Sequence, residues 1–198
     1  MARKYFEELK LRLAKESGYI IHKAGGRLKF ALVYPNFYHV GMSNLGIHII
    51  YELLNSRADT SCERFFLSEE ILSCETQTPL NKFDVIGFAI SFEPDYFNVV
   101  KILQSAKIKV RADERTKFDP LIIAGGPCAT FNPAPLSKIF DAFVIGEAEV
   151  ILPQFMNVLQ ENKNLPRETI LEKISEVPGM QLDRQVPGRG DGLPDGMR

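Results

Sequence analysis

Cysteine is scarce in this 198-residue chain, and its three copies, Cys62, Cys74 and Cys128, are widely spaced. No pair forms the Cys-x-x-Cys clip that holds zinc, so the thiols read as small core or loop residues. Net charge is nearly lacking too: at -1 there is no basic field to draw in nucleic acid or an acidic membrane surface. No apolar run approaches the roughly 18 residues that a membrane helix needs. The opening Met1-Ala-Arg-Lys-Tyr-Phe-Glu-Glu-Leu-Lys10 has no apolar signal core. These absences make a cytoplasmic protein the expectation.

Catalytic signatures are missing as well. There is no Gly-x-x-x-x-Gly-Lys-Ser phosphate loop, no Gly-x-Gly-x-x-Gly and no Gly-x-Ser-x-Gly nucleophile turn. His22, His39 and His48 do not have metal-ligand spacing with a nearby carboxylate pair. Glu147 and Glu149 stand where a helix opens, and glutamates there ordinarily complement the positive end of the helix dipole.

What the chain does have is a repeated strand–loop–helix grammar, clearest in Phe30 to Gly46. Phe30-Ala-Leu-Val-Tyr34 is an apolar run ended by Pro35, which suits a strand covered on both faces. A loop over Pro35 to Gly41 follows. A helix is then predicted from about Met42 to Asn55, opened by Gly41 and Ser43, with Leu45, Ile49 and Leu53 at helical spacing. Later apolar runs repeat the theme. Thr60 to Leu67 suits a strand, Phe83 to Phe92 a buried strand, Pro120 to Ala124 another and Ala142 to Ile145 a short one. Helices are expected after Glu93-Pro-Asp95, over Leu136 to Phe140, through Ile151 to Leu159, and from Pro166.

Before this core, residues 2 to 17 read as an amphipathic helix and Tyr19 to Lys23 as one arm of a hairpin turning at Gly25-Gly26. From Pro178 the sequence turns glycine-rich with little apolar periodicity, which predicts disorder. The expected organisation is an N-terminal helix and hairpin arm over 1–26, an α/β domain over 27–177 and a disordered tail over 178–198. The fold class is α/β: a flavodoxin-like (Rossmann-like) three-layer domain with a mostly parallel five-stranded sheet, the N-terminal hairpin offering an extra strand. In such sheets ligands sit outside the carboxyl ends of the strands. Four of those ends carry small or polar residues: Asn36 to Asn44, Ser91 to Glu93, Gly125-Gly126 and Gly146-Glu147. They are expected to converge on one rim, where glycine lets backbone approach a ligand closely and helix starts favour anionic groups.

Several motifs occur in a familiar order: Tyr34-Pro-Asn-x-Tyr-x-Val-Gly-Met-Ser-Asn-Leu-Gly46, Phe83-Asp-Val-Ile-Gly-Phe88, Ile123-Ala-Gly-Gly-Pro-Cys128, Asn132-Pro133 and Phe140-Asp-Ala-Phe-Val-Ile-Gly-Glu147. Over about residues 27 to 179 the chain resembles the N-terminal region of a radical SAM protein family, in which a cobalamin-binding-like domain precedes the iron–sulfur domain. The resemblance implies a partner in cis, the radical SAM domain, where a Cys-x-x-x-Cys-x-x-Cys motif holds a 4Fe-4S cluster and S-adenosylmethionine. This chain has no such motif. It stops about where that domain should begin, which reads as a truncated or frame-shifted product or a detached domain, catalytically incomplete by itself.

Cobalamin domains of this type that supply a lower histidine use Asp-x-His-x-x-Gly after the first strand. Here the same spacing reads Asn36-x-Tyr38-x-x-Gly41, and a neutral phenol with an ordinary pKa of about 10 is a poor cobalt ligand. The resemblance therefore leaves two expectations open: cobalamin held without histidine ligation, or no cobalamin at all. Its candidate contacts are Asn36, Tyr38, Gly41, Ser43, Asn44, Ser91, Glu93, Gly125, Gly126, Gly146 and Glu147. Ser91 and Gly125-Gly126 match the places where such domains touch the nucleotide tail. Two readings stand: a module that binds cobalamin or a related ligand and docks a catalytic domain, and an interaction module with no small ligand. No catalytic residue, metal ligand, nucleic acid or membrane partner is expected.

Overall fold

A computed structural model describes residues 2–22 and 25–182. The core is a six-stranded sheet in the order β2-β1-β3-β4-β5-β6. Its strands are β1 (Leu28–Tyr34), β2 (Thr60–Phe66), β3 (Val85–Ala89), β4 (Leu121–Gly125), β5 (Ala142–Val144) and β6 (Met180–Leu182). The first five pair in parallel and β6 runs antiparallel to β5. The first five strands follow the flavodoxin order, with the direction of strand addition reversing between β1 and β3.

Parallel strands need helical crossovers, so both faces are covered and the strands are apolar throughout. Side chains alternate between the faces. Phe30, Leu32 and Tyr34 of β1 pack with Ile47, Tyr51 and Leu54 of α3 (Leu45–Asn55) and with Leu152 and Phe155 of α6 (Ala148–Asn162). Ala31 and Val33 face the other way, towards Val99, Ile102 and Leu103 of α4 (Asp95–Ser105). Phe88, Phe140 and Phe143 extend that second core through edge-to-face ring contacts.

The chain between β1 and α3 is more ordered than a loop. It holds a short helix, α2 (Tyr38–Met42), so the second helix, α3, starts at Leu45 and not at Met42. The cause is two hydrogen bonds: Ser43 Oγ donates back to the Val40 carbonyl at 2.7 Å, closing α2, and Asn44 Oδ1 accepts from Ile47 N at 3.3 Å, capping α3. Similarly, the helix expected over Leu136 to Phe140 is reduced to a single turn at Ala134–Leu136. Beyond it the chain turns towards β5 instead, where Asp141 N already bonds the Ile122 carbonyl of β4 at 2.8 Å.

The N-terminal arm also differs. Its helix forms as α1 (Ala2–Leu13), and Leu9 and Leu13 are buried. Tyr19 to His22, however, form no strand. The backbone of Ile20 bonds instead to the Tyr51 hydroxyl of α3, its N–H at 2.8 Å and its carbonyl at 3.1 Å. Lys23 and Ala24 lie outside the described residues. The turn just after α1 is clamped to the sheet edge by Arg64 of β2, which bonds Glu16 at 2.7 Å and the fully buried Glu75 at 2.6 Å.

At the opposite edge, Met180 to Leu182 belong to the sheet and not to the glycine-rich tail. Gly179, at φ +87°, turns the chain, and Met180 and Leu182 bury their side chains on either side of the half-buried Gln181. β6 satisfies the outer edge of β5, which a five-stranded sheet would leave open. The remainder of that predicted tail, 183–198, lies outside the described residues. α5 (Pro127–Phe131) and α7 (Arg167–Ser175) complete the helices, and a buried Asp141 pins α7 to the sheet by accepting from Arg167 at 2.6 Å and Arg115 at 3.1 Å. No helix among the described residues is long and apolar enough to cross a membrane.

Candidate functional site

Asn36, Ser91, Gly125 and Gly146 follow or end β1, β3, β4 and β5, four neighbouring strands running in one direction. They therefore occupy one edge of the sheet. Within that edge the structure divides the sequence-predicted residues among separate places.

Asn44, Ser91, Gly125 and Gly126 come together. They form the mouth of a cleft of about 290 Å³ that runs between α3 and α6 over the sheet. Its floor is Leu32, Gly87 and Ile123, and its walls are Ile47 and Ile50 on one side and Ala148 and Leu152 on the other. Asn44 Nδ2 donates to Ser91 Oγ at 3.3 Å, joining the loops after β1 and β3 across the mouth. Gly126 has φ +94°, and a Cβ there would lie 2.8 Å from the Ile90 carbonyl oxygen, so only glycine brings the β4 loop this close to the β3 loop. On the α3 side stands Gly46. A Cβ added to it would meet only Asn44 Oδ1 within 4 Å, so its lack of a side chain leaves the cleft open. The chemistry is that of an apolar slot with a few polar groups at its lip, the usual form of a small-molecule site.

Tyr38 and Gly41 lie elsewhere. Tyr38 donates its hydroxyl to Glu16 Oε1 at 2.6 Å, and its ring packs edge-on against Phe66 and under Arg12. Burial, reinforced by the neighbouring Glu16 carboxylate, pushes the phenol well above its ordinary pKa, so it stays neutral and faces α1. Gly41 is buried where any side chain would collide with Phe66. The sequence spacing that sets Tyr38 at a ligand position thus serves the packing of α1. His39 stacks on Phe37, and His48 bonds the Met42 carbonyl at 2.9 Å.

Asn36 donates from Nδ2 to Asp95 Oδ1 at 2.8 Å, and Asn98 donates to the same oxygen at 3.2 Å. Asp95, in the first turn of α4, is only 2 % exposed. Burial raises its carboxyl pKa, against the pull of the Asn36 and Asn98 hydrogen bonds. Ser43 is exposed and spent on closing α2. Glu93 borders a shallower depression that shares Ser91 and Pro127 with the cleft and adds Cys128 and Phe131. Gly146 and Glu147 are exposed at the end of β5, and the Glu147 carbonyl accepts the first N–H groups of α6. Ala148, Leu152, Ile47 and Ile50 gave no signal of their own in the sequence, because apolar positions at helical spacing read equally as core. Among the described residues, no group of three or more His, Cys, Asp or Glu side chains is placed to hold a metal ion.

A family model described as radical SAM proteins, N-terminal, matches residues 46–182, more than half of the chain. The chain belongs to the radical SAM N-terminal family. The match covers Ser91, Gly125, Gly126, Gly146 and Glu147, whereas Asn36 to Asn44 precede it. Among curated proteins, this radical SAM N-terminal domain is similar to an uncharacterized protein of Methanocaldococcus jannaschii, with 30 % identity over 119 residues. That alignment takes in 60 % of this chain and 24 % of the relative, so the chain spans about a quarter of the length of the curated protein it matches. No solved structure matches it.

Proposed function

We propose that this radical SAM N-terminal domain holds cobalamin at the carboxyl edge of its sheet and presents it to a radical SAM catalytic domain. The observation that carries the reading is the apolar cleft between α3 and α6. Its volume of about 290 Å³ lies at the small end of ligand pockets, which start at roughly 300 Å³. It suits a slim planar tail such as a nucleotide base and not a macrocycle, which would rest on the rim outside. Asn44 and Ser91 would hydrogen-bond the tail where it enters, and Gly125 and Gly126 would let it pass against backbone. When bound, cobalamin supplies a cobalt centre that carries an alkyl group. In this reading the metal has no histidine from the chain: none of His22, His39 or His48 lines the cleft, and Tyr38 is held by Glu16. The 4Fe-4S cluster and S-adenosylmethionine belong, in this reading, to the catalytic domain.

A second observation favours the docking half of the proposal. Phe37, Phe92, Phe97 and Phe131 all stand at the carboxyl edge and are 55–87 % exposed. Leu45 and Val150 add to the same edge. A ring of large apolar side chains around a ligand mouth marks a surface that another domain covers.

The test is to mix the purified chain with hydroxocobalamin, desalt it and record the visible spectrum. Retained absorbance is expected, unchanged in Tyr38→Phe and abolished in Gly46→Leu, which fills the mouth. No retained absorbance in the unaltered chain would remove cobalamin from the reading. Docking is tested separately. Phe97→Ser with Phe131→Ser should weaken binding to a separately produced radical SAM catalytic domain without lowering thermal stability.

A further inference from the structure

We propose that a second cleft at the same edge, between α1 and α4, binds an anion with a planar apolar body, such as an aromatic phosphate or carboxylate. The cleft has a volume of about 640 Å³ and shares no lining residue with the first. Arg12 of α1 and Lys101 of α4 line it from two elements, with Phe37 and Tyr5 among its apolar surfaces.

The state of Arg12 carries the inference. Arg57, Arg64, Arg115 and Arg167 each bond a carboxylate. The guanidinium of the half-buried Arg12 makes no hydrogen bond or ion pair among the described residues. Its guanidinium lies over the Tyr38 ring, 4.4 Å from the centroid. Stacking occupies the flat face of a guanidinium and leaves the N–H groups at its edge free to donate. Those donors suit two oxygens of a carboxylate or phosphate. Tyr38 is itself held in place by its hydrogen bond to Glu16, so the platform under Arg12 is fixed before any ligand arrives. Lys101, exposed on α4, adds a second positive charge and has no acidic partner among the described residues. Glu69 is the one carboxylate lining the cleft, and it is exposed. The balance within the concavity is therefore positive in a chain that is nearly neutral as a whole.

The probe is 2-naphthyl phosphate, titrated calorimetrically into the full chain beside inorganic phosphate and 2-naphthol. Saturable one-to-one binding is expected, with both controls weaker because each lacks half of the recognition. Arg12→Gln and Lys101→Gln should each weaken it about tenfold, the loss of one charge-assisted contact, with unchanged circular dichroism and melting. Arg12→Lys should fall between, keeping charge but losing the planar fork. Replacing the probe with 2-naphthoate then decides between phosphate and carboxylate as the natural anion. The proposal is overturned if neither anion binds saturably, or if both glutamine variants bind as the unaltered chain does. Because the clefts are separate, hydroxocobalamin retention should survive Arg12→Gln, so failure here leaves the cobalamin reading standing.

Discussion

Asn44 serves two loops at once: Oδ1 accepts the Ile47 N–H that opens α3, and Nδ2 donates to Ser91 Oγ beyond β3. One side chain thereby fixes both a helix start and the lip of the cleft. Asn44→Ala should cost about 1 kcal/mol through the lost cap and also loosen ligand retention. Ser91→Ala removes only the bridge, so urea denaturation should show a much smaller loss while ligand retention still falls. Equal destabilisation by the two would mean that the bridge, and not the cap, is what Asn44 contributes to the fold.

Gly126 carries a stricter demand. Its φ of +94° with ψ of 178° lies where side chains are rarely found, and a Cβ would press on the Ile90 backbone. Gly126→Ala is expected to destabilise by about 2 kcal/mol or more, since such backbone alone costs roughly 1–3 kcal/mol. Thermal melting of the variant measures it, and an unchanged midpoint would show that the β4 loop can adopt another path.

Asp141 neutralises two buried guanidinium groups, Arg115 and Arg167, while also accepting from Ile122 N at 2.7 Å. Asp141→Ala strands both cations. Breaking a buried pair from one side costs about 3–5 kcal/mol, and this should be the most damaging single substitution proposed here, read from the urea midpoint.

Asp119 gives the acid dependence. Its carboxylate accepts from Thr116 N, Thr116 Oγ1 and Lys109 Nζ. The Thr116 backbone bond above all, with help from Lys109, holds its pKa down to about 2, against about 3.9 in an unfolded chain. A depressed folded value means stability that is present above roughly pH 4 and lost as the pH falls from there towards 2. Asp119→Asn should therefore be less stable than the unaltered chain at pH 7. The gap should narrow between pH 4 and pH 2 in parallel urea titrations.

The sheet was legible where its strands are continuous apolar runs. Phe30 to Tyr34, Val85 to Ala89, Leu121 to Ala124 and Ala142 to Val144 need nothing but burial on both faces to become parallel strands. Their polar ends could be placed on one edge for the same reason. What the sequence hid was decided by contacts between distant segments. Tyr38 has the spacing of a ligand position, yet Glu16 draws it to α1, and no local pattern announces that pairing. Met180 to Leu182 are too short to read as a strand until the open edge of β5 is there to receive them. Tyr19 to His22 have strand-like composition, but one hydroxyl from α3 takes up the N–H and carbonyl of Ile20 that a hairpin would have used.

The reversed direction of β6 also sets where its last residue lies. Leu182 pairs with Ala142, at the beginning of β5, so it stands at the pole opposite the mouth of the cleft. A catalytic domain joined beyond Leu182, as the proposed function would have it, would need to double back along the sheet to reach the aromatic edge. At about 3.3 Å per extended residue, a five-residue strand such as β3 asks for a connector of at least roughly five residues. Its length, as much as any contact, would govern how tightly the mouth can be closed.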